Sequence, residues 1–478
     1  MTPPRRTVRH PVRIVHLGLG AFHRAHQAWY TQRANETATG DDAWGIAAFT
    51  GRSPEAARVL AAQDAVYTVI VRGQGGDSAE TIESLSSVTD GADADRWRSA
   101  VADPQVGVLT LTVTEAGYRP PAADLAADRD ALRAGEPALT APGRLVDGLR
   151  ARRTAAAGGL AVVSCDNLPD NGRVTHDAVI ELAVAVDPDL AGWIETEVSF
   201  VSTMVDRITP ATTAADIAVA RTLTGADDAA PVVTEPFTEW VLSGAFPAGR
   251  PAWEAGGARF VDDVEPFERR KLWLLNAGHS LLAYLGLLRG RTTIAETMSD
   301  PVCVAALEKL WAEARTELPF DDSQVDAALV ALRERFTNAR IEHRLTQIAA
   351  DGSQKLGPRI LDPVRSRLAA GRAIGAGEAT AIAAWILHVL SGSFRDAGAV
   401  ELAERLRALD GDDGTPSHDT GTGTAALVVE TLRTLAPDLA DDDAVVRPID
   451  HQLGALRATT EPHADERVAA GEPSRGAN

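Results

Sequence analysis

Short apolar runs alternate with longer helix-like segments through the first half of the chain. Five such runs are typical of buried strands, and they cover residues 13–17, 44–49, 65–71, 106–113 and 160–164. Strands that alternate with helices pair in parallel and are covered by helices on both faces. The pattern therefore predicts an α/β domain with a parallel sheet over residues 12–262.

The pattern changes beyond about residue 260, where strand-like runs nearly disappear. Long segments rich in Ala, Leu, Arg and Glu lie at 265–289, 301–316, 323–336, 340–350, 376–391, 398–409 and 424–435. They predict a mostly α-helical domain over residues 263–458. The polar ends, residues 1–11 and 459–478, are predicted to be a flexible arm and a flexible tail.

Charge and cysteine content narrow the function classes. The formal net charge of −20 argues against binding to nucleic acid or to an anionic membrane surface. Two cysteines indicate a reducing compartment without a disulfide framework. The chain has no run of 18 apolar residues, and its basic N-terminus lacks the apolar segment of a secretory signal. These features predict a cytoplasmic protein that does not span a membrane.

Lysine is scarce in this chain, since only Lys271, Lys309 and Lys355 stand among 47 lysines and arginines. A desolvated lysine can lose its proton near neutral pH and act as a base, which an arginine cannot do. Lys309 has the surroundings of an exposed helix position, whereas Lys271 and Lys355 stand among polar residues that could line a site. An arginine-biased genome explains the scarcity, but it does not explain which positions remained lysine.

The first predicted strand ends at Gly18-Leu-Gly20, and a helix-like stretch from about residue 21 to 34 follows. Glycines at this turn allow a close approach of the backbone, and a helix N-terminus attracts a pyrophosphate. The dinucleotide fingerprint is incomplete because His23 occupies the third glycine position. A nucleotide site and an ordinary structural turn both fit this segment.

The end of the second predicted strand bears on the choice of cofactor. An acidic residue is expected there to bind the ribose, but the nearest acid is Glu55. Arg52 and Ser53 could instead hold a 2′-phosphate, so the spacing leaves NAD and NADP open. A solvated turn is an equal alternative.

Two polar segments carry candidate chemistry. Asn167 follows the apolar run 160–164, at the strand end where open α/β sheets bind ligands, and its neutral amide can donate to a developing alkoxide. Asn171 and Gly172 are interpreted as an Asn-Gly turn. Cys165 is interpreted as a small buried residue rather than a nucleophile.

The second polar segment begins at Lys271. On a regular α-helix His279 lies about 80° and Asn276 about 140° round from Lys271, so one broad face would present a base, an amide and an imidazole. The four apolar residues 272–275 would depress the pKa of the lysine. An amphipathic helix with no active site is the alternative. The histidines lack zinc-ligand spacing, so no metal site is predicted.

Six motifs occur in a fixed order along the chain. They are GLGAFHRAHQ at 18–27, LTVTEAGY at 111–118, SCDNLPDNG at 164–172, MVDRITP at 204–210, KxxxxNxxH at 271–279 and DGSQK at 351–355. Together they resemble the mannitol dehydrogenase family of long-chain polyol dehydrogenases, from about residue 12 to 455. The resemblance implies a Rossmann-type dinucleotide-binding domain over 12–262, a helical substrate and catalytic domain over 263–458, and a metal-independent secondary-alcohol dehydrogenase.

The resemblance also implies roles for individual residues. Lys271 matches the general base, Asn167 and Asn276 match the amides that stabilise the oxyanion, and His279 matches a group that binds a substrate hydroxyl. Glu268 matches a proton-relay glutamate, and Asp206 and Lys355 match residues that border the substrate. The predicted contacts to NAD, or to NADP, are Gly18, Gly20, Phe22, His23, Arg24, Arg52 and Glu115.

One position indicates the substrate. Polyol-oxidising members of the family carry an arginine eight residues before the lysine of the DGSxK motif, but this chain has Gln347 there. The surrounding stretch 343–365 more closely resembles the fructuronate reductase branch. The prediction is therefore oxidation of D-mannonate and reduction of D-fructuronate, with the mannitol 2-dehydrogenase and mannitol-1-phosphate 5-dehydrogenase branches as alternatives. A nucleotide sensor without catalysis is a different class, but a sensor has no need for Lys271, Asn276 and His279 together.

Overall fold

The computed structural model describes residues 2–39, 42–51, 53–113, 115–411 and 423–460. The chain divides into two compact units, Met1–Glu268 and Arg269–Asn478.

The first unit contains all the strands of the described residues. They are β1 Val12–Leu17, β2 Gly45–Phe49, β3 Tyr67–Gly73, β4 Gly76–Ile82, β5 Leu85–Thr89, β6 Val108–Leu111, β7 Leu160–Ser164, β8 Val198–Asp206, β9 Val232–Thr234, β10 Glu239–Ser243 and β11 Arg259–Phe260. The larger sheet has the order β11-β10-β8-β7-β6-β1-β2-β5, in which the six strands from β8 to β5 are parallel. The predicted α/β class with a parallel sheet is confirmed.

Helices surround the two sheets of this unit. They are α1 Ala21–Ala25, α2 Gln27–Thr37, α3 Glu55–Ala61, α4 Ala94–Val101, α5 Glu115–Tyr118, α6 Ala122–Ala134, α7 Ala141–Thr154, α8 Asn171–Val186, α9 Pro188–Glu197 and α10 Ala214–Thr224, with a 3-10 turn at Trp253–Gly256. The helix predicted from 21 to 34 is two helices, because the backbone breaks at His26 (φ −120°, ψ −88°). The His26 ring there contacts the carbonyl oxygen of Glu239 at 3.1 Å.

Both faces of the large sheet are buried. Ile14 of β1 packs into one apolar cluster with Tyr30 and Trp240, whereas its neighbours Val15 and Leu17 pack into a second cluster. Successive side chains of a strand point to opposite faces, so a strand covered on both sides must be apolar throughout. This burial explains why the runs near β1, β2, β6 and β7 were recognisable from the sequence.

The run 65–71 was wrongly assigned to the parallel sheet. It forms β3, which pairs with β4 through an antiparallel hairpin and with β9 in a separate sheet of the order β4-β3-β9. A tight turn between Gly73 and Gly76 returns the chain at once, so no crossover helix follows. Strand β4 is mostly polar and partly exposed, and its sequence therefore lacked an apolar signal.

Helices are the main elements in the described residues of the second unit. The helix α11 Glu265–Arg270 leads into a first π segment, Lys271–Asn276, and a second π segment lies at Gly357–Leu361. The α-helices are α12 Ala277–Leu288, α13 Ile294–Thr297, α14 Pro301–Arg315, α15 Asp322–Phe336, α16 Leu345–Ile348, α17 Gly352–Leu356, α18 Asp362–Ala369, α19 Ala376–Leu390, α20 Val400–Asp410, α21 Gly423–Leu435 and α22 Asp443–Thr460, with 3-10 turns at Ala397–Ala399 and Pro437–Leu439. The predicted helical C-terminal part is confirmed.

Helices α12 and α19 form the centre of this unit, where α19 contacts α12, α14 and α22. The predicted helix 340–350 is reduced to α16, because Arg344 pairs with Thr293 in an isolated β-bridge that holds this part of the chain extended. Within the described residues, no helix is both long enough and apolar enough to cross a bilayer.

A buried carboxyl at the start of α19 gives a stability prediction. Glu378 is 1% exposed, and its Oε2 accepts a hydrogen bond from the backbone N–H of Gly375 at 2.8 Å. Burial raises the pKa of Glu378 to about 7, and the nearby Glu313 adds to this rise. Since this pKa lies above the ordinary value of 4.5, the carboxyl contributes stability that is fully present below about pH 4.5 and is lost as the pH rises through about 7.

We therefore expect the free energy of unfolding of Glu378→Gln, taken relative to the wild type, to rise by roughly 2–3 kcal/mol from pH 5 to pH 8. Gln keeps an oxygen that can accept from Gly375 and removes the titrating group. Denaturant unfolding followed by tryptophan fluorescence measures the difference. A difference between the two proteins that does not change from pH 5 to pH 8 would contradict this assignment.

Candidate active site

The loop after β1 leaves bare backbone at the carboxyl edge of the sheet. Gly18 has φ +109°, and a Cβ atom there would collide with the backbone oxygen of Thr112. A Cβ at Gly20 would come no closer than 3.6 Å to the Gly18 oxygen. Strand β1 lies between β6 and β2, where the strand order reverses, which is the position at which open α/β sheets bind dinucleotides. The loop therefore fits the pyrophosphate of a dinucleotide.

The side chains that follow this loop mostly face the protein. The Phe22 ring stacks on His26 with ring centroids 4.9 Å apart, and the buried His23 ring stacks on His16 at 3.3 Å. Burial lowers the pKa of His23 well below its ordinary value, so the ring is neutral. The Arg24 guanidinium donates to the carbonyl oxygen of Ala230 at 2.6 Å. The side chains of His23 and Arg24 thus contact the protein around the loop. A direct contact of either side chain with a cofactor stays a prediction.

Two other predicted cofactor contacts cannot be placed in this way. Arg52 lies outside the described residues. Glu115 is the first residue of α5, which follows the carboxyl end of β6, and only its backbone is among the described parts of the structure. Both contacts stay predictions.

Three of the predicted residues gather at the ends of β7 and β8. Asn167 is exposed in the bend between β7 and α8, and Asp206 is the last residue of the neighbouring strand β8. The backbone N–H of Asp170, in the same bend, donates to Oε1 of Glu268 at 3.2 Å. Asp170 itself has φ +51°, a left-handed conformation that costs on the order of 1–3 kcal/mol in a residue other than glycine. Such strain is typical of functional turns.

The interpretation of Asn171 as part of an Asn-Gly turn is wrong. Asn171 is the first residue of α8 and is fully buried, and its side chain bonds to both backbone groups of Thr203 on β8. A Cβ at Gly172 would collide with Ser202 on the same strand, so the glycine allows α8 to pack closely against β8. Asn171 and Gly172 therefore hold the start of α8 against β8 and do not form a turn. No local pattern in the sequence revealed this, because the partner strand is distant along the chain.

The regular helix predicted around Lys271 is also wrong. The backbone N–H of Ala277 donates to the carbonyl oxygen of Leu272, five residues back, as in a π-helix. Trp311 on α14 donates its indole N–H to the carbonyl oxygen of Leu274 at 2.9 Å and so satisfies a carbonyl inside the wide turn. In a π turn, residues five apart lie in adjacent turns as residues four apart do in an α-helix. Lys271 and Asn276 therefore share one side of the helix instead of lying about 140° apart.

His279 is a neutral imidazole with an unused hydrogen-bonding atom. Its ring stacks on Phe336 at 4.5 Å between centroids and meets the His343 ring edge-on at 4.8 Å. Among the described residues, Nε2 of His279 has no hydrogen-bond partner although it is buried. Burial lowers the pKa of His279 well below its ordinary value, and His343, Arg335 and Arg359 lower it further. A buried polar atom without a protein partner fits a ligand hydroxyl.

The DGSQK motif lies beside this segment. The two π segments contact each other, and Arg359 of the second donates to Oγ of Ser280 at 3.0 Å and to the carbonyl oxygen of Asn276 at 3.5 Å. Lys355 donates to the carbonyl oxygens of Ile348 and Ala350. Asp351 precedes α17 in a left-handed conformation (φ +55°). The structure thus places Lys271, Asn276, His279 and the motif carrying Lys355 in one unit.

Gln347 is exposed on the short helix α16. The nearby Arg344 forms a surface ion pair with Glu342 at 2.8 Å.

Over the described residues, no group of three His, Cys, Asp or Glu side chains is arranged to hold a metal ion.

The comparisons with known proteins agree with both halves of the chain. The family model of the mannitol dehydrogenase Rossmann domain matches residues 12–255, and that of the mannitol dehydrogenase C-terminal domain matches residues 263–457. The chain belongs to the mannitol dehydrogenase family. It is therefore an oxidoreductase, and the predicted resemblance is confirmed.

Individual members of the mannitol dehydrogenase family match over most of their length. D-mannonate oxidoreductase of Escherichia coli K12 is 42% identical over 374 residues, which cover 75% of this chain and 76% of that protein. Mannitol 2-dehydrogenase of Cereibacter sphaeroides is 38% identical over 372 residues, covering 75% and 77%. The solved ternary complex of Pseudomonas fluorescens mannitol 2-dehydrogenase with NAD and D-mannitol has a TM-score of 0.76 and 31% identity, and the match covers 97% of this chain and 95% of that one.

Proposed function

We propose that this member of the mannitol dehydrogenase family interconverts D-mannonate and D-fructuronate with NAD. Family membership makes it an NAD-dependent oxidoreductase that acts on a CH–OH group of a polyol or sugar acid, as predicted. The finer assignment concerns the substrate and the residues that move its proton. The similarity to D-mannonate oxidoreductase supports a sugar acid, and the similarity to mannitol 2-dehydrogenases supports the alternative, a neutral polyol.

The charge around His279 is the observation that carries the choice of a sugar acid. Two of the ionisable neighbours that act on its pKa are Arg335 and Arg359, which stay charged, whereas burial lowers the pKa of His343 to about 4 and leaves that ring neutral. A carboxylate is stabilised in such surroundings, whereas a neutral polyol gains little from them. Gln347 adds to this argument, since it stands where polyol-oxidising members carry a cation.

The proposed chemistry divides among a few side chains. NAD, when bound, would supply the hydride acceptor for oxidation, and NADH would supply the hydride donor for reduction. Uncharged Lys271 takes the proton of the hydroxyl that is oxidised and returns it in the reverse direction. The amides of Asn167 and Asn276 donate to the same oxygen as negative charge develops on it.

The remaining side chains orient the substrate and relay the proton. Neutral His279 binds a neighbouring hydroxyl through Nε2, and Asp206 and Lys355 border the substrate. Glu268 passes the proton between Lys271 and solvent, and its Oε1 already accepts from the Asp170 backbone N–H. A carboxylate held by a backbone donor keeps a fixed orientation, as a relay requires.

Substrate selectivity tests the choice of a sugar acid. We expect kcat/KM for reduction of D-fructuronate to exceed that for D-fructose by at least about tenfold, or roughly 1.4 kcal/mol of transition-state free energy. NADH consumption with D-fructuronate, D-fructose and D-fructose 6-phosphate as separate substrates measures it. Comparable efficiency with fructose, or a preference for the phosphate ester, would contradict the sugar-acid assignment. Failure to reduce any ketone would favour the sensor alternative.

Two arginines give matched variants for this measurement. Arg359→Gln is expected to lower the fructuronate-to-fructose ratio, because Arg359 is one of the basic groups around His279. Arg344→Gln is expected to leave the ratio unchanged, because Arg344 is paired with Glu342 at the surface. An equal loss with both substrates in Arg359→Gln would assign that arginine to structure alone.

A further inference from the structure

The bend that carries Asn167 is tied to the neighbouring strand and helix by one carboxylate. Asp166 directly precedes Asn167, and its Oδ2 accepts from the backbone N–H of Val113 at 3.0 Å. The same oxygen accepts from the hydroxyl of Tyr118. Val113 follows β6 and Tyr118 ends α5, so Asp166 joins the carboxyl end of β6, helix α5 and the bend after β7.

The backbone of Asp166 is held from the opposite side. Asn171 donates from Nδ2 to the carbonyl oxygen of Asp166 at 3.0 Å and to that of Thr203 at 2.8 Å. Its Oδ1 accepts from the backbone N–H of Thr203 at 2.9 Å. Both the side chain and the carbonyl of Asp166 are thus fixed, and they set the direction in which the chain enters Asn167.

The Tyr118 hydroxyl is suited to hold this carboxylate. The residue is 2% exposed, and burial together with the adjacent Asp166 raises the pKa of its hydroxyl well above the ordinary value. The hydroxyl therefore remains a donor, and a hydrogen bond to an ionised acceptor is stronger than one between neutral groups. Asn167 itself is exposed, and the contacts of Asp166 fix the backbone from which its side chain extends.

We propose that Asp166 and Tyr118 are positioning residues for Asn167. They act through the direction of the Asn167 amide and do not touch the substrate. This inference rests on the role proposed above for Asn167 in stabilising the oxyanion. Hydrogen-bond donors aimed at a developing charge work through preorganisation, so a small displacement lowers the rate of the chemical step more than it weakens binding.

Tyr118→Phe tests the proposal because it removes one hydroxyl and keeps the buried ring. We expect kcat to fall about tenfold, while KM for the ketone and the Kd for NADH stay within about twofold of wild type. Tyr30→Phe is the matched control, since Tyr30 is also buried, lies on α2 and accepts a hydrogen bond at its hydroxyl oxygen from Thr238 at 3.2 Å. It should keep the wild-type kcat.

A double-mutant cycle separates action through Asn167 from a general effect. If Tyr118 works through Asn167, adding Tyr118→Phe to Asn167→Ala should change kcat by less than about twofold. The same tenfold loss in both backgrounds, or no loss in the wild-type background, would overturn the proposal. Full kcat in Asn167→Ala would overturn both this proposal and the role of Asn167.

Amide hydrogen exchange gives a readout that does not depend on turnover. Tyr118→Phe should speed exchange over residues 165–173 by at least about threefold, and Tyr30→Phe should not. If the wild-type protein reduces none of the ketones, the proposed function fails and exchange alone decides the positioning claim. Unchanged exchange over 165–173 in Tyr118→Phe would then overturn it.

Discussion

Alanine in place of Lys271 is expected to lower kcat by a factor on the order of 10²–10⁴ while the affinity for NADH stays near wild type. The side chain is the proposed base, and a positioned proton acceptor contributes to the transition state and not to binding of the nucleotide. The rate of single-turnover hydride transfer from NADH measures the chemical step, and the fluorescence of bound NADH measures the affinity for NADH. Retention of more than about a tenth of the wild-type kcat would remove Lys271 from the role of base.

The chain offers a matched control for this substitution. Lys309 is exposed on α14, so Lys309→Ala removes the same side chain outside the site. It should leave kcat unchanged. A comparable loss in Lys309→Ala would point to net charge or stability as the cause.

The second large effect is expected from the two amides. Asn167→Ala and Asn276→Ala should each lower kcat by something like 10²-fold and raise KM much less, because a donor aimed at a developing charge acts mainly on the transition state. Steady-state kinetics in the direction of ketone reduction separate the two constants. A change confined to KM would mean that the amides bind only the ground state of the substrate.

Aspartate variants sharpen this prediction. Asn276→Asp keeps the shape of the side chain but replaces an N–H donor with an oxygen that becomes negative. It should be at least as damaging as Asn276→Ala, since like charges repel at the developing alkoxide. Higher activity in Asn276→Asp than in Asn276→Ala would show that shape, and not hydrogen-bond donation, is what the position supplies.

Much of the first unit was predictable because strands buried on both faces carry continuous apolar runs. Strands β1, β2, β6 and β7 follow that rule. Strand β8 did not stand out, since polar Ser and Thr residues interrupt its apolar positions. The sheet to which β3 belongs was predicted wrongly, because periodicity identifies a strand and does not identify its partner.

The candidate site was predictable as a set of residues and not as a geometry. The scarcity of lysine and the motif spacing singled out Lys271, Asn276 and His279. The π turn that places Lys271 and Asn276 on one side contacts Trp311 of another helix, which donates to the carbonyl oxygen of Leu274. Asn171 was misread for the same reason, since its partner Thr203 is distant along the chain. Contacts of this kind arise from packing and leave no local pattern.

A competition experiment tests the central claim most directly. Wild-type enzyme receives equal concentrations of D-fructuronate and D-fructose with limiting NADH, and chromatography of the products gives the ratio of the two kcat/KM values in one vessel. The proposed function predicts at least about ten molecules of D-mannonate for each molecule of D-mannitol. Equal amounts of the two products, or an excess of D-mannitol, would contradict it.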